Sequence, residues 1–286
     1  MVRTQAVPSM GLPMVAGYGM SVLPDPIAEE VVMTDIQALI AKNQVRWNSM
    51  RSDPSRIPTF QAIAARLCAP DAKAKFQAVS DRLQSGGYQP VPWWVIAVIA
   101  EREYGGPPHW DKQLGQGDPL DRVSVNDPAG RGPFLDHPGD NATNNAWLRC
   151  ALDALVDCAP HAAHWTDWSP GGIMTILEEY NGLGYAMMGV PSAYVWSGTD
   201  QYVSGKYVAD HVYRAGVKDV QEGCAPIVYQ MMALDKTIRF PGALAVAPAT
   251  TATPLVKPTV PAAPATKGAP PVKGIVSELL DAWHKL

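Results

Sequence analysis

Apolar residues recur along most of this chain at helical spacing, which predicts a mainly α protein with little β structure. The strongest helix covers residues 93–103 (WWVIAVIAERE) and is apolar over most of its circumference. A helix of that kind belongs in the centre of a fold. Pro92 suits its start, and Gly105 and Gly106 are expected to stop it directly after Tyr104.

Further apolar patterns predict a set of helices around this central one. Thr34 is the expected N-cap of the first. The predicted segments are 35–47, 59–68, 71–83, 146–156, 172–179 and 217–234. The strand signals are short, and the best of them are residues 194–196 (YVW) and 202–203 (YV).

Residues 105–145 form a long irregular stretch rich in Gly, Pro, Asp and Asn. A loop of this length inside a compact domain is usually functional. The predicted fold therefore has a central buried helix followed by a long active-site loop.

Composition changes near both ends of the chain. Residues 1–30 are rich in Pro, Gly and Met and predict an irregular arm, which leaves residues 31–240 as the main domain. Residues 241–274 read as a Pro-, Ala- and Thr-rich linker. Residues 275–286 have the pattern of a short amphipathic helix, marginal alone. It either docks on a partner, a membrane surface or the main domain, or is disordered.

The charge distribution and the lack of long apolar segments argue against several classes of partner. The chain has 286 residues, 47% of them hydrophobic, and a formal net charge of −4. No cluster collects its 23 basic residues, so neither nucleic acid nor an anionic membrane is favoured. No window approaches the roughly 18 apolar residues of a transmembrane segment. Pro8, Gly11 and Pro13 interrupt the N-terminus where a signal peptide would be apolar.

The chain carries no recognisable cofactor or metal motif. Its four cysteines lack a CxxC pair, and the His161/His164 pair lacks further ligands at metal-binding spacing. Phosphate-binding loops, dinucleotide fingerprints and serine-hydrolase elbows are missing as well. We therefore expect neither a metal nor a cofactor.

Glu103, in the last turn of the central helix, is a candidate general acid. Burial near the core and the negative end of the helix dipole both favour a carboxyl that keeps its proton near neutral pH. Cleavage of a glycosidic bond requires such a group. The alternative is an ordinary solvated residue or an ion pair with Arg102. Periodicity does not distinguish Glu103 from Glu101, since each shares a helix face with apolar residues.

Two other segments carry polar groups suited to carbohydrate chemistry. Asp118, in the Gly-Asp-Pro of residues 117–119, is a candidate second carboxylate, although that tripeptide is also ordinary turn chemistry. Residues 178–185 (EEYNGLGY) combine acids, an amide and tyrosines as sugar sites do. The alternative, a capped helix end with Tyr180 packed inward, explains the glycines but not the cluster of polar and aromatic residues. The predicted substrate-binding residues are Glu178, Glu179, Tyr180, Asn181, Gly182 and Tyr185.

Taken in order, six blocks of this chain resemble phage and prophage endolysins of a lysozyme-like, peptidoglycan-degrading family. The blocks are residues 93–103, 116–120, 122–125, 128–131, 177–185 and 204–210. The Tyr-Asn-Gly of residues 180–182 is also similar to the Tyr-Asn-Ala-Gly of goose-type lysozymes and lytic transglycosylases. The resemblance implies a lysozyme-like fold and assigns the catalytic acid to Glu103 rather than Glu101. Ala100, Tyr104 and Ala193 depart from the residues common in that family.

The expected function is that of a muramidase-type endolysin acting on peptidoglycan glycan strands. Glu103 would protonate the leaving oxygen, and Asp118, Glu178 or Glu179 would position water or stabilise the transition state. A lytic transglycosylase using Glu103 as acid and base is the close alternative. A non-catalytic wall-binding or virion structural protein is the other. Without a visible signal peptide, we expect synthesis in the host cytoplasm and access to the cell wall through a holin or as a virion component.

Overall fold

A computed structural model describes residues 26–125, 128–140, 145–209 and 212–240, with side chains from residue 36 onward. Its described part is mainly helical, as the sequence predicts. The longer helices are α1 (Pro26–Ser49), α2 (Ile57–Leu67), α3 (Pro70–Ser85), α4 (Trp93–Tyr104), α5 (Asn145–Val156) and α6 (Pro170–Tyr180). The other α-helices of the described residues are the four-residue α7 (Gly184–Met187) and α8 (Ala193–Trp196) and the 11-residue α9 (Cys224–Leu234).

Helix α4 is the buried centre that its composition predicts. Every residue from Trp93 to Ala100 is buried, and the polar residues appear only in the last turn. The helix ends at Gly105, whose left-handed conformation (φ 83°) turns the chain away while its N–H donates to the Glu101 carbonyl. The last turn of the helix therefore places three charged side chains, Glu101, Arg102 and Glu103, at the boundary between the core and the long loop.

Helices α1 and α6 pack closely against each other. A side chain at Gly171 would place its Cβ 2.4 Å from the Ile40 carbonyl oxygen, so glycine is required there. The backbone N–H of Gly171 also donates to the Gln44 side chain. On the other side of the core, α2 packs on α9 while α3 packs on α4 and α5.

The long loop after α4 is fastened mainly to α5. Arg131 forms an ion pair with Asp153, and Arg149 binds the Phe134 carbonyl and Asp140. Gln113 donates from its side chain to the Pro119 and Arg122 carbonyls. Backbone hydrogen bonds between its own turns, such as those from Ser124 to Arg131 and from Phe134 to Leu120, hold the described part of the loop together with these side chains.

The structure corrects several predicted elements. Residues 194–196 lie in the short helix α8 instead of a strand, because all four α8 side chains are buried against α6 and α9. The only strands of the described residues are β1 (Lys206–Ala209) and β2 (Val212–Arg214), which form an antiparallel hairpin, so 202–203 is not a strand either.

Two helix starts also differ from prediction. Helix α1 begins at Pro26, so Thr34 lies inside it and residues 26–30 are helical rather than part of an irregular arm. Helix α9 begins only at Cys224. The predicted linker and C-terminal helix, residues 241–286, lie outside the described residues, as do residues 1–25. Among the described helices none is both long and apolar enough to cross a bilayer.

Candidate active site

The carboxyl of Glu103 lies where α4, α6, α8 and α9 meet. Glu103 itself is half-buried, and the hydroxyl of Tyr194 on α8 donates to its Oε1 at 2.9 Å. Burial raises the pKa of Glu103 to about 7, against the opposing effects of the Tyr194 hydrogen bond and the Arg102 charge. Burial therefore favours the protonated form of this carboxyl at a higher pH than for an ordinary glutamate.

Tyr180 on α6 and Cys224 on α9 are also affected by the charge of Glu103. Burial raises the pKa values of both, and the charge of Glu103 adds to the effect. The Tyr180 hydroxyl donates to the Leu114 carbonyl at 3.4 Å, which links the end of α6 to the long loop. Tyr180 therefore combines the inward packing expected of a helix end with a position close to the candidate acid.

Glu101, two residues earlier on the same helix, has a different environment. Its two carboxylate oxygens accept from Arg66 Nη2 at 2.9 and 2.7 Å. Arg66 Nη1 also donates to the carbonyls of Gly105 and Pro107, so the pair fastens the loop after α4 to α2. Burial raises the pKa of Glu101 and Arg66 lowers it. The geometry thus gives Glu101 a structural partner and leaves Glu103 as the acid candidate.

Arg102 lies between these two glutamates and is the centre of a buried charge network. Its Nη2 is 3.1 Å from Asp219 Oδ2, and the side chains of this pair are only 6% and 3% exposed. Its Nη1 donates to the Glu222 carbonyl at 2.9 Å. Lys206 of β1 contacts the other oxygen of Asp219 at 2.9 Å. The network ties α4 to the hairpin and to the segment before α9.

Asp118 is close to α4 in the chain path but its carboxylate is engaged in a turn. A Cβ at Gly117 would lie 2.7 Å from the Glu103 carbonyl oxygen, so this loop runs directly against the end of α4. The Asp118 carboxylate accepts from the Val125 N–H at 3.1 Å, and its carbonyl accepts from Gln113. The structure supports the turn interpretation of Gly-Asp-Pro, while the catalytic role of Asp118 stays a prediction.

Glu178 faces α1 rather than a surface that a glycan could reach. It is fully buried, and its Oε2 accepts from Asn43 Nδ2 at 3.2 Å. Arg46 in turn donates to the Asn43 side chain at 2.9 Å. Burial raises the pKa of Glu178 to about 7, against the lowering effects of Asn43 and Arg46. The side chain belongs to the α1–α6 interface, and its contact with substrate stays a prediction.

The buried Glu178 carboxyl predicts a pH-dependent stability. Its folded-state pKa lies above its ordinary value of 4.5, so its contribution to stability is complete below pH 4.5 and is lost as the pH rises to about 7. As the pH rises from 4.5 to 8, the free energy of unfolding of Glu178→Gln should increase by roughly 3 kcal/mol relative to that of the wild type. Urea unfolding across that range measures it. A stability difference that does not change with pH would contradict this assignment.

Three further residues of the predicted sugar-binding segment, Glu179, Asn181 and Gly182, lie at the end of α6 and are half-buried or exposed. Glu179 is half-buried, and burial together with the neighbouring Glu178 raises its pKa to about 7. Asn181 is exposed and caps α6, and Gly182 follows it in the left-handed conformation (φ 90°). This is the capped helix end that the sequence offered as the alternative reading.

Tyr185 is only 4% exposed. Its ring packs edge-on against Tyr207 and Tyr213, with centroids 5.2 and 6.1 Å away. Its hydroxyl accepts from the Tyr207 N–H at 3.3 Å. Tyr185 therefore supports the hairpin from beneath, and its contact with a glycan stays a prediction.

Tyr194 and Asp219 are site residues that the sequence patterns did not single out, and Arg102, named there as a possible partner of Glu103, pairs with Asp219 instead. Residues 194–196 (YVW) have the aromatic and β-branched character of a strand, and nothing local indicates that the Tyr194 hydroxyl reaches Glu103. Asp136, His137 and Asp140 form an exposed group whose ligand atoms lie within 4.8 Å of one another. Arg149 already contacts both carboxylates of that group. The Arg149 guanidinium is therefore already the cationic partner of these two carboxylates.

Comparisons with protein-family models, curated proteins and solved structures gave no match to this chain. The candidate site therefore has to be interpreted from its own geometry.

Proposed function

We propose that this protein is a peptidoglycan-degrading endolysin with a lysozyme-like fold, which cleaves the β-1,4 bond between N-acetylmuramic acid and N-acetylglucosamine. The observation that carries the proposal is the Glu103 carboxyl, half-buried at the end of a buried helix, with its pKa raised to about 7. A general acid works best when its pKa lies near the working pH. The order of the sequence blocks around Glu103 supports the choice of substrate.

In this mechanism Glu103 donates its proton to the glycosidic oxygen as the bond to the anomeric carbon breaks. The proton moves from carboxyl to leaving oxygen, and the sugar develops oxocarbenium character. Water, positioned by a second carboxylate for which Glu179 is the remaining candidate, then attacks the anomeric carbon and returns a proton to the Glu103 carboxylate. Asn181 and Glu179, at the end of α6 beside Tyr180, are the proposed contacts to the glycan, since α6 ends next to Glu103.

A lytic transglycosylase is the second candidate, and a specific observation favours it. Asp118 and Glu178, two of the predicted second carboxylates, are occupied by Val125 and Asn43. A mechanism that needs one carboxyl uses Glu103 first as acid and then as base. The muramyl 6-hydroxyl then attacks the anomeric carbon in place of water and gives its proton to Glu103. The product is an anhydro-muramyl end, one water lighter.

The test is to incubate the purified full chain with peptidoglycan and to record turbidity and the masses of released fragments. Reducing-end fragments from the wild type support the muramidase, and anhydro ends support the transglycosylase. Glu103→Gln serves as the matched control, and its preparation must release neither product. If the wild type also releases nothing but still sediments with peptidoglycan, the protein is a wall-binding module and the enzymatic proposal is wrong.

A further inference from the structure

The backbone and side chain of Tyr194 are fixed by contacts other than its hydrogen bond to Glu103. It lies in α8, where all four residues are buried, and its side chain is 3% exposed. The turn that follows α8 packs tightly on Gly223, where a Cβ would lie 2.6 Å from the carbonyl oxygens of Val195 and Ser197. Gly223 also donates its N–H to Ser197. The backbone that carries Tyr194 therefore has little freedom to shift.

The ring of Tyr194 is also contacted by the residue that precedes Glu103. The Arg102 guanidinium lies 4.7 Å from the ring centroid, within the range of a cation–π contact. Asp219 and the Glu222 carbonyl fix that guanidinium in turn. Tyr194 is thus fixed on its face by Arg102, while its hydroxyl points at the neighbouring carboxyl.

We propose that Tyr194 is a positioning residue that determines which oxygen of Glu103 carries the transferable proton. Its hydroxyl donates to Oε1, so Oε1 is an acceptor and the acidic proton resides on Oε2. Among the described residues no hydrogen bond is made to Oε2. That oxygen is therefore the one available to a substrate. This inference rests on the proposed function for its chemistry, but its geometry is independent of substrate.

One proton is transferred when the glycosidic bond breaks, and none is lost or gained overall. The Oε2 proton moves to the glycosidic oxygen, and the Tyr194 hydroxyl keeps its own proton and its bond to Oε1. The new carboxylate then has one oxygen already hydrogen-bonded. In the transglycosylase variant, Oε2 is also the oxygen that accepts the proton of the muramyl 6-hydroxyl.

The charged and titratable groups around Glu103 determine whether loss of the Tyr194 hydroxyl raises or lowers the pKa of Glu103. They are Arg102 on α4, Tyr180 on α6, Tyr194 on α8 and Cys224 on α9. Tyr194 donates to the carboxylate form and Arg102 attracts it, so both lower the pKa of Glu103 against burial. Removing only the Tyr194 hydroxyl must therefore raise that pKa.

The experiment compares Tyr194→Phe with Tyr180→Phe in the full-length chain. Carboxyl carbons are labelled with ¹³C, the Glu103 signal is assigned by its loss in Glu103→Gln, and its pKa is measured by NMR titration. We expect Tyr194→Phe to raise the Glu103 pKa by about 1 pH unit, because a hydrogen bond to a charged group is lost. Tyr180→Phe removes a hydroxyl that donates to Leu114 instead, so it should leave the Glu103 pKa in place.

Tyr194→Phe and the wild type are then assayed on peptidoglycan across pH. The alkaline limit of activity should move upward with the NMR pKa in Tyr194→Phe, and the rate below that limit should fall about tenfold as the carboxyl loses its orientation. An unchanged or lowered Glu103 pKa overturns the inference, since it means that the hydroxyl accepts from the acid. If the pKa rises while the wild type releases no product, Tyr194 still positions the carboxyl and only the proposed function fails.

Discussion

Glu103→Gln should abolish release of glycan fragments, with a rate loss of about 10²–10⁴-fold, while the protein stays folded. Glutamine keeps the size of the side chain and can still accept from the Tyr194 hydroxyl through its amide oxygen. It has no acidic proton to give to the glycosidic oxygen. Fragment release from purified peptidoglycan, followed against time and normalised to folded protein, measures the loss.

Glu101→Gln is the matched control, two residues away on the same helix. Its carboxylate holds Arg66 through two hydrogen bonds, and Arg66 holds the loop after α4. We expect Glu101→Gln to lower the thermal stability and to retain most of the fragment release, which is the opposite pattern to Glu103→Gln. Equal rate losses in both variants would contradict the assignment of the acid to Glu103.

The pH dependence of the wild type follows from the same carboxyl. Only the protonated form of Glu103 can act as the acid, and its pKa is raised to about 7. Activity should therefore be sustained below pH 7 and fall about tenfold for each further pH unit above it.

Arg102→Met should destabilise the fold by about 3 kcal/mol. The change removes the buried positive charge but keeps most of the apolar stem. Asp219, 3% exposed, then keeps only Lys206 as a charged partner, and the Glu222 carbonyl loses its Arg102 donor. For a domain of this size the midpoint of thermal unfolding should fall by roughly 6–12 °C. Calorimetry or circular dichroism against temperature measures it.

The double variant Arg102→Met/Asp219→Asn separates the charge effect from packing. Removing both charges avoids the uncompensated buried carboxylate, so the double variant should recover part of the lost stability. If the loss of unfolding free energy in the double variant equals the sum of the losses in Arg102→Met and in Asp219→Asn, the two side chains are not coupled and the proposed network is wrong.

The central helix shows how much of this fold a pattern can predict. Eight consecutive apolar residues from Trp93 to Ala100 are buried because such a helix has no polar face to turn to water. The glycines after Tyr104 end it because Gly105 adopts a positive φ. By contrast, residues 194–196 form a helix instead of the predicted strand, since short apolar segments take the conformation that their burial partners allow.

The candidate acid was predictable and its environment was not. The sequence by itself determined a mainly helical chain, a buried central helix and an acidic residue at the end of that helix, because these follow from local apolar spacing and from glycine stereochemistry. Only the tertiary structure decided that Glu101 pairs with Arg66, that Glu178 faces Asn43 and that Tyr194 donates to Glu103. Those partners are 35, 135 and 91 residues away along the chain. Contacts at such separations depend on how helices pack, which local spacing does not encode.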